Sequence, residues 1–131
     1  DIYIDQASVE GIAQAEKNKA LEEADKVYAQ IAEKFDYAAT YAVWKRALMN
    51  YTINPDMKVG RALPYYKQYI ELVAPKAEKS ASETTKLATA YTYLAVHYIQ
   101  NDKKAEAKEW ATKLLEIKPD DPNGLQIMNI K

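Results

Sequence analysis

Apolar residues recur along this chain every three or four positions, and the alternation expected of a strand is missing. Leu21, Ala24, Tyr28 and Ile31 form one such stripe. Tyr41, Trp44 and Leu48 form another, and Ala62, Tyr66, Tyr69, Ile70 and Leu72 a third. Tyr91, Leu94, Ala95 and Tyr98 make a fourth, followed by Ala107 and Leu114. This is the period of amphipathic helices with one face toward a core. The pattern predicts helices over about 19–34 and 37–51, one beginning near Gly60, one ending near Gln100, and one over 103–118. Local chemistry sharpens several ends. Ser80 and Glu83 make a capping box, in which each satisfies a free amide of the other's end of the turn. Asn101 is expected to take the left-handed conformation that closes a helix, and Asp102 to cap the next. Pro119 stops that helix, and Asp121-Pro122 starts a short last one with Leu125, Met128 and Ile130 on its apolar side.

Two regions read less simply. Asp1 to Gln6 resembles the end of a helix with Ala7–Ala20 inserted after it, and one continuous helix through Gly11 fits equally well. Further on, Ile53-Asn54-Pro55-Asp56 makes a turn about three residues longer than a tight helix hairpin needs. Pro64 fits a helix only in its first turn, where amides have no intrahelical partner. Residues 77–87 are extra relative to the repeat period described next, and some of them are expected to lengthen the following helix.

Residues 88–121 carry aromatic, large, small and aromatic residues (Tyr91, Leu94, Ala95, Tyr98), then Ala107, Leu114 and Pro119. At these spacings they resemble one complete tetratricopeptide repeat (TPR), a helix–turn–helix unit that buries its apolar face by stacking on neighbours. Tyr41, Trp44 and Leu48 match Tyr91, Leu94 and Tyr98 in a middle repeat, with Lys45 where the small Ala95 stands. Leu21, Ala24, Tyr28 and Ile31 match the second helix of a partial first repeat. Ala111 and Leu114 stand where an aromatic and an alanine are usual, an exchange of sizes that Trp110 helps to fill. Gly60-Arg61-Ala62-Leu63-Pro64-Tyr65-Tyr66-Lys67, with Tyr91-Thr92-Tyr93-Leu94-Ala95, is similar to a subgroup of bacterial cell-envelope TPR proteins, which would place the chain in the periplasm or envelope.

The resemblance implies an all-α, right-handed superhelix of antiparallel helix pairs, a TPR-like α-solenoid. It would be a single domain with a partial repeat at 1–36, repeats at 37–76 and 88–121, and a capping helix at 122–131. It also implies a concave groove lined by the first helix of each pair, with Ala42, Arg46, Met49 and Asn50 in the middle repeat and Thr92, Val96, Ile99 and Gln100 in the last. The family's carboxylate-clamp positions hold Ala42, Thr92 and Val96, so that clamp is not expected.

Charge adds direction to this picture. Residues 1–36 hold four basic and nine acidic groups (net −5), residues 37–79 seven and three (net +4), and residues 80–131 seven of each. Arg46, with Lys45 and Arg61 in support, would draw an acidic protein or peptide to the groove. A chain net of −1 argues against nucleic acid. No apolar run approaches the length of a membrane span. Cysteine is absent, which removes thiolate chemistry. His97 is the sole histidine and lacks partners at ligand spacing. Most of the 11 tyrosines fall at packing positions, with Tyr65 the exception. Glu22→Lys26 and Glu109→Lys113 are spaced for helix-surface ion pairs. No constellation for catalysis, metal or cofactor emerges. The expected function is a non-enzymatic protein–protein interaction scaffold. The alternative is a structural spacer or self-association module of a larger envelope protein, since an incomplete first repeat leaves a face to be covered.

Overall fold

The computed structural model describes residues 14–34 and 39–131. Among these residues are six helices and no strand: α1 (Gln14–Lys34), α2 (Ala39–Ile53), α3 (Leu63–Val73), α4 (Ala81–Gln100), α5 (Lys104–Ile117) and α6 (Pro122–Met128). Each packs on the next in sequence, and α6 also rests on α4. The reading of residues 1–13, including the choice at Gly11, falls outside the described residues. Helix α1 nevertheless begins at Gln14, so the stretch from there to Ala20 is helix and no inserted loop.

Burial follows the seams between helices. Leu21, Ala24 and Tyr28 of α1 meet Ala42 and Met49 of α2. The largest cluster joins α2 to α5 through Trp44, Tyr66, Tyr69, Tyr93, Leu94 and Leu114. A third joins α4, α5 and α6 through Ala95, Ala107, Ala111 and Ile127. Three of those four are alanines at zero exposure, so the α4 and α5 backbones approach closely without displacing a larger side chain. Trp110 stacks on Tyr91 with ring centroids 5.9 Å apart, which supplies the bulk that Ala111 lacks.

The helix ends follow local chemistry, with two corrections. The Ser80–Glu83 capping box forms in both directions. Asp121 caps α6 by accepting from the Gly124 amide at 3.0 Å, with Pro122 in the first turn. At the end of α4, however, Asn101 has φ −102 and Asp102 takes the left-handed conformation, φ 60. The Lys103 amide then reaches the Tyr98 carbonyl and the Asp102 amide that of Ile99. This double closure needs its left-handed residue one place past the cap, so Asp102 ends α4 and cannot also cap α5. On α6 the buried residues are Gly124 and Ile127, while Leu125 and Met128 are exposed. A Cβ at Gly124 would lie 2.8 Å from Leu115 Cδ2. That close approach turns the Gly124–Ile127 side inward and the Leu125–Met128 side out. The surface ion pairs also differ: Glu22 meets Arg61 and Lys26 meets Glu23, and Lys113 lies over the Trp110 ring.

The aromatic centre has a titration consequence. Burial pushes the Tyr66 phenol up to about 12, helped by neighbouring Tyr93 and Tyr51. It does the same to Tyr69, also to about 12, helped by Glu83. Between the ordinary value of 10 and about 12 the unfolded chain releases protons that the folded one retains. Their contribution to stability is therefore complete below pH 10 and declines as pH rises across that window. Absorbance at 295 nm should show these two phenols ionising last, together with loss of helical circular dichroism. A single titration near pH 10 with the helices intact would contradict this burial.

A row of apolar pockets crossing α2, α4 and α6

Helices α2 and α4 end at Ile53 and Gln100, 47 positions apart, and at that offset several of their inner positions coincide, while Ala42 and Leu48 fall on exposed Thr89 and buried Ala95. Trp44, Ala47 and Tyr51 correspond to Tyr91, Leu94 and Tyr98, and each pair faces inward. On the other side, Lys45, Met49 and Thr52 correspond to Thr92, Val96 and Ile99. Tyr66, Ile70 and Val73 of α3 match Ala107, Ala111 and Leu114 of α5 at an offset of 41. The difference of six residues lies in the longer loop between α2 and α3.

This alignment moves the sequence reading of α2 by three residues. Tyr41 is 55% exposed and Leu48 38% exposed, so neither occupies the core position given to it. Trp44 takes the place of Tyr91, not of Leu94. Lys45 no longer stands at the place of Ala95; at this offset that place holds the exposed Leu48, beside the fully buried Ala47.

The cause lies on α1. Asp25 faces α2, accepting from Arg46 Nε at 2.8 Å and from Asn50 Nδ2 at 3.3 Å. Arg46 also donates to the Tyr65 hydroxyl at 3.3 Å, and its guanidinium lies 4.4 Å from the centroid of that ring. Arg61 Nε donates to Asn50 Oδ1 at 2.9 Å, and its guanidinium meets Glu22. Two arginines and an asparagine are thus turned between the helices to satisfy one another. A half-buried charge of this kind is costly to strand, so the network holds that side of α2 inward.

The expected groove residues divide accordingly. Ala42 is fully buried under α1 and Asn50 is buried in the polar network, so neither can meet a partner in the groove. Arg46 is committed to Asp25 and Tyr65, and charge reversal there would unsettle the α1–α2 seam. Arg61 is likewise engaged. Gln100 is exposed but borders no pocket described below. Met49, Thr92, Val96 and Ile99, with Lys45, do line open cavities.

Three such cavities lie among the described residues. The first, of about 360 Å³, lies between α2 and α4 and is lined by Leu48, Tyr51, Met57, Tyr66, Thr89, Thr92 and Tyr93. A second, of about 340 Å³, lies between α4 and α6, lined by Val96 and Ile99 with Asn123, Gln126, Ile127 and Ile130. The third, of about 200 Å³, lies between α1 and α2, lined by Leu21, Lys45, Leu48, Met49 and Thr52. Thr89, Thr92, Val96 and Ile99 fall on one stripe of α4, as Lys45, Leu48 and Thr52 do on α2. Leu48 lines both the first and the third cavity. The three therefore form a row across alternate helices, α2, α4 and α6, and most of the row is apolar.

The long loop supplies one wall. Asn54 Oδ1 accepts from the Asp56 amide and Asp56 Oδ1 from the Lys58 amide, while Gly60, at φ 75, turns the chain into α3. Two side chains of α4 hold this loop. His97 Nδ1–H donates to the Met57 carbonyl at 2.6 Å, and Asn101 Nδ2 donates to the Lys58 carbonyl at 3.0 Å. Met57 is thereby fixed over the first cavity, so His97 has a structural task. Beneath it, the Tyr93 hydroxyl is buried without a hydrogen-bond partner at bonding distance. Burial raises its pKa, and the nearby Ala62 amide acts in the opposite direction.

Sequence reasoning missed Leu48, Tyr51, Thr89 and Met57. The first two were assigned to packing alone, and Met57 reaches the cavity only because the loop is held against α4. Among the described residues no three His, Cys, Asp or Glu side chains gather as metal ligands, and no helix is long and apolar enough to cross a membrane. No protein-family model, no curated protein and no solved structure matches this chain.

Proposed function

We propose that this chain is a TPR-like, non-enzymatic scaffold that binds a segment of another protein along the row of pockets. The observation that carries this reading is the row itself: three apolar cavities opening on single stripes of α2 and α4. A lone cavity suits a small molecule, whereas a linear set suits a chain that places successive side chains into successive pockets. The coincidence of inner positions between α2 and α4, and between α3 and α5, supports the repeat. On this reading α2–α3 and α4–α5 are two units of a right-handed superhelix, with α1 the second helix of an earlier unit and α6 the cap.

The test is selection of peptides from a random display library on the immobilised protein. Wild type should enrich peptides with spaced apolar residues. Leu48→Arg, which puts a charge at the junction of two cavities, should weaken them by about a hundredfold, the scale of a lost central anchor. A matched change on the outer surface, Lys113→Glu, should leave binding unchanged. No enrichment, or equal binding by Leu48→Arg, would overturn the proposal.

A further inference from the structure

The row is apolar along most of its length, but two cations stand along its edge. Lys45 lines the cavity between α1 and α2, one turn before Leu48. Lys86 lies one turn before Thr89 on α4 and reaches toward Trp44 of α2, at the N-terminal end of the α2–α4 cleft. The Lys86 ammonium is 5.7 Å from the Trp44 ring centroid, and that of Lys45 is 5.5 Å from the centroid of Tyr41. Both rings belong to α2, so aromatic faces hold the two charges beside the opening.

The surrounding charges contrast with this pair. Arg46 is answered by Asp25, Arg61 by Glu22, and Lys76 by Glu83, the carboxylate one turn before Lys86. Neither Lys45 nor Lys86 forms an ion pair among the described residues. On the cavity side Thr89 and Thr92 donate their hydroxyls back to the carbonyls of Thr85 and Ala88. What faces an occupant is thus a row of apolar hollows with two positive charges along its edge.

We infer that the occupant is a peptide segment in which a bulky apolar residue is followed or preceded closely by acidic ones. The apolar side chain fills the cavity between α2 and α4, one carboxylate reaches Lys86 beside it, and another reaches Lys45 at the adjoining cavity between α1 and α2. This rests on the scaffold reading above and adds the charge of the partner. It also moves acidic recognition from Arg46, which the fold has spent on Asp25, to two lysines. One of these, Lys86, lies outside the set expected from sequence.

The test uses fluorescein-labelled synthetic peptides of one length, each with a central phenylalanine flanked by aspartates, by asparagines or by lysines. Anisotropy is read at low and high salt. The aspartate peptide should bind roughly five- to tenfold tighter than the asparagine peptide, the size expected of two half-exposed ion pairs, and the margin should shrink with salt. Lys45→Gln with Lys86→Gln should erase the margin between the aspartate and asparagine peptides. The Lys→Arg pair should keep the margin, which separates charge from packing on Trp44 and Tyr41. Equal binding of aspartate and asparagine peptides by wild type would overturn this inference and leave the scaffold reading standing. Failure of all three peptides, together with failure of the library selection, would overturn both.

Discussion

Trp44→Ala is expected to lower the stability of the fold by about 3–5 kcal/mol, the range for removing a buried aromatic side chain. The indole is 9% exposed and sits where three helices meet. Its ring centroid lies 4.9 Å from that of Tyr69 and 5.6 Å from that of Tyr66, in tilted and edge-on arrangements. Tyr66 in turn packs on Tyr93 at 4.7 Å. Alanine would leave a void that these rings cannot close without breaking their own contacts. A domain of this size has only about 5–15 kcal/mol in total, so the loss should be visible as a large shift in urea midpoint by far-ultraviolet circular dichroism. Tyr41→Ala is the matched control. It lies one turn away on the same helix, but it is exposed and should cost under about 1 kcal/mol. Similar losses at both positions would place Tyr41 in the core and contradict the alignment of α2 with α4.

Gly60→Ala should be the second severe change, at about 2–5 kcal/mol. Roughly 1–2 of this comes from forcing an L side chain into left-handed backbone, and about 1–3 from pushing packed atoms apart. Gly60 has φ 75, and a Cβ there would fall 2.7 Å from His97 Cε1 and Nδ1. The imidazole cannot yield without loosening its bond to the Met57 carbonyl, so the loop and the cavity wall should shift together. Adding His97→Ala separates the two causes. The double variant should regain the part due to the clash and keep the backbone part. Thermal melts of the four proteins decide this, and a Gly60→Ala protein as stable as wild type would contradict the packing of loop on helix.

The success of the sequence reading tracks the range of the interactions involved. Ser80 with Glu83, Asp121 with Pro122, and Pro119 after α5 act within a few residues, and each helix end that depends on them is where the pattern predicts. The α2 reading failed because Tyr41, Trp44 and Leu48 form as good a stripe as Val43, Ala47 and Asn50. Helical periodicity does not choose between them. The choice is made by Asp25, 21 positions before Arg46 in the chain, and that contact exists only once α1 lies across α2. The site inherited the same slip. Met49 lines a cavity while packing under α1, whereas Ala42, Arg46 and Asn50 are turned inward with the face that carries them. Thr92, Val96 and Ile99 line cavities on one stripe of α4, a stripe that helical spacing alone marks out.

The loop between α2 and α3 alters how the helix pairs depend on one another. In a modular array each unit could be copied, deleted or exchanged, because it touches its neighbours only through a common helix face. Here the connector of one pair is fastened to the far end of the next pair's first helix by His97 and Asn101. The junction is therefore keyed. A unit spliced in between α3 and α4 would part Met57 and Lys58 from both side chains, and would be accepted only if it brought an equivalent histidine and asparagine.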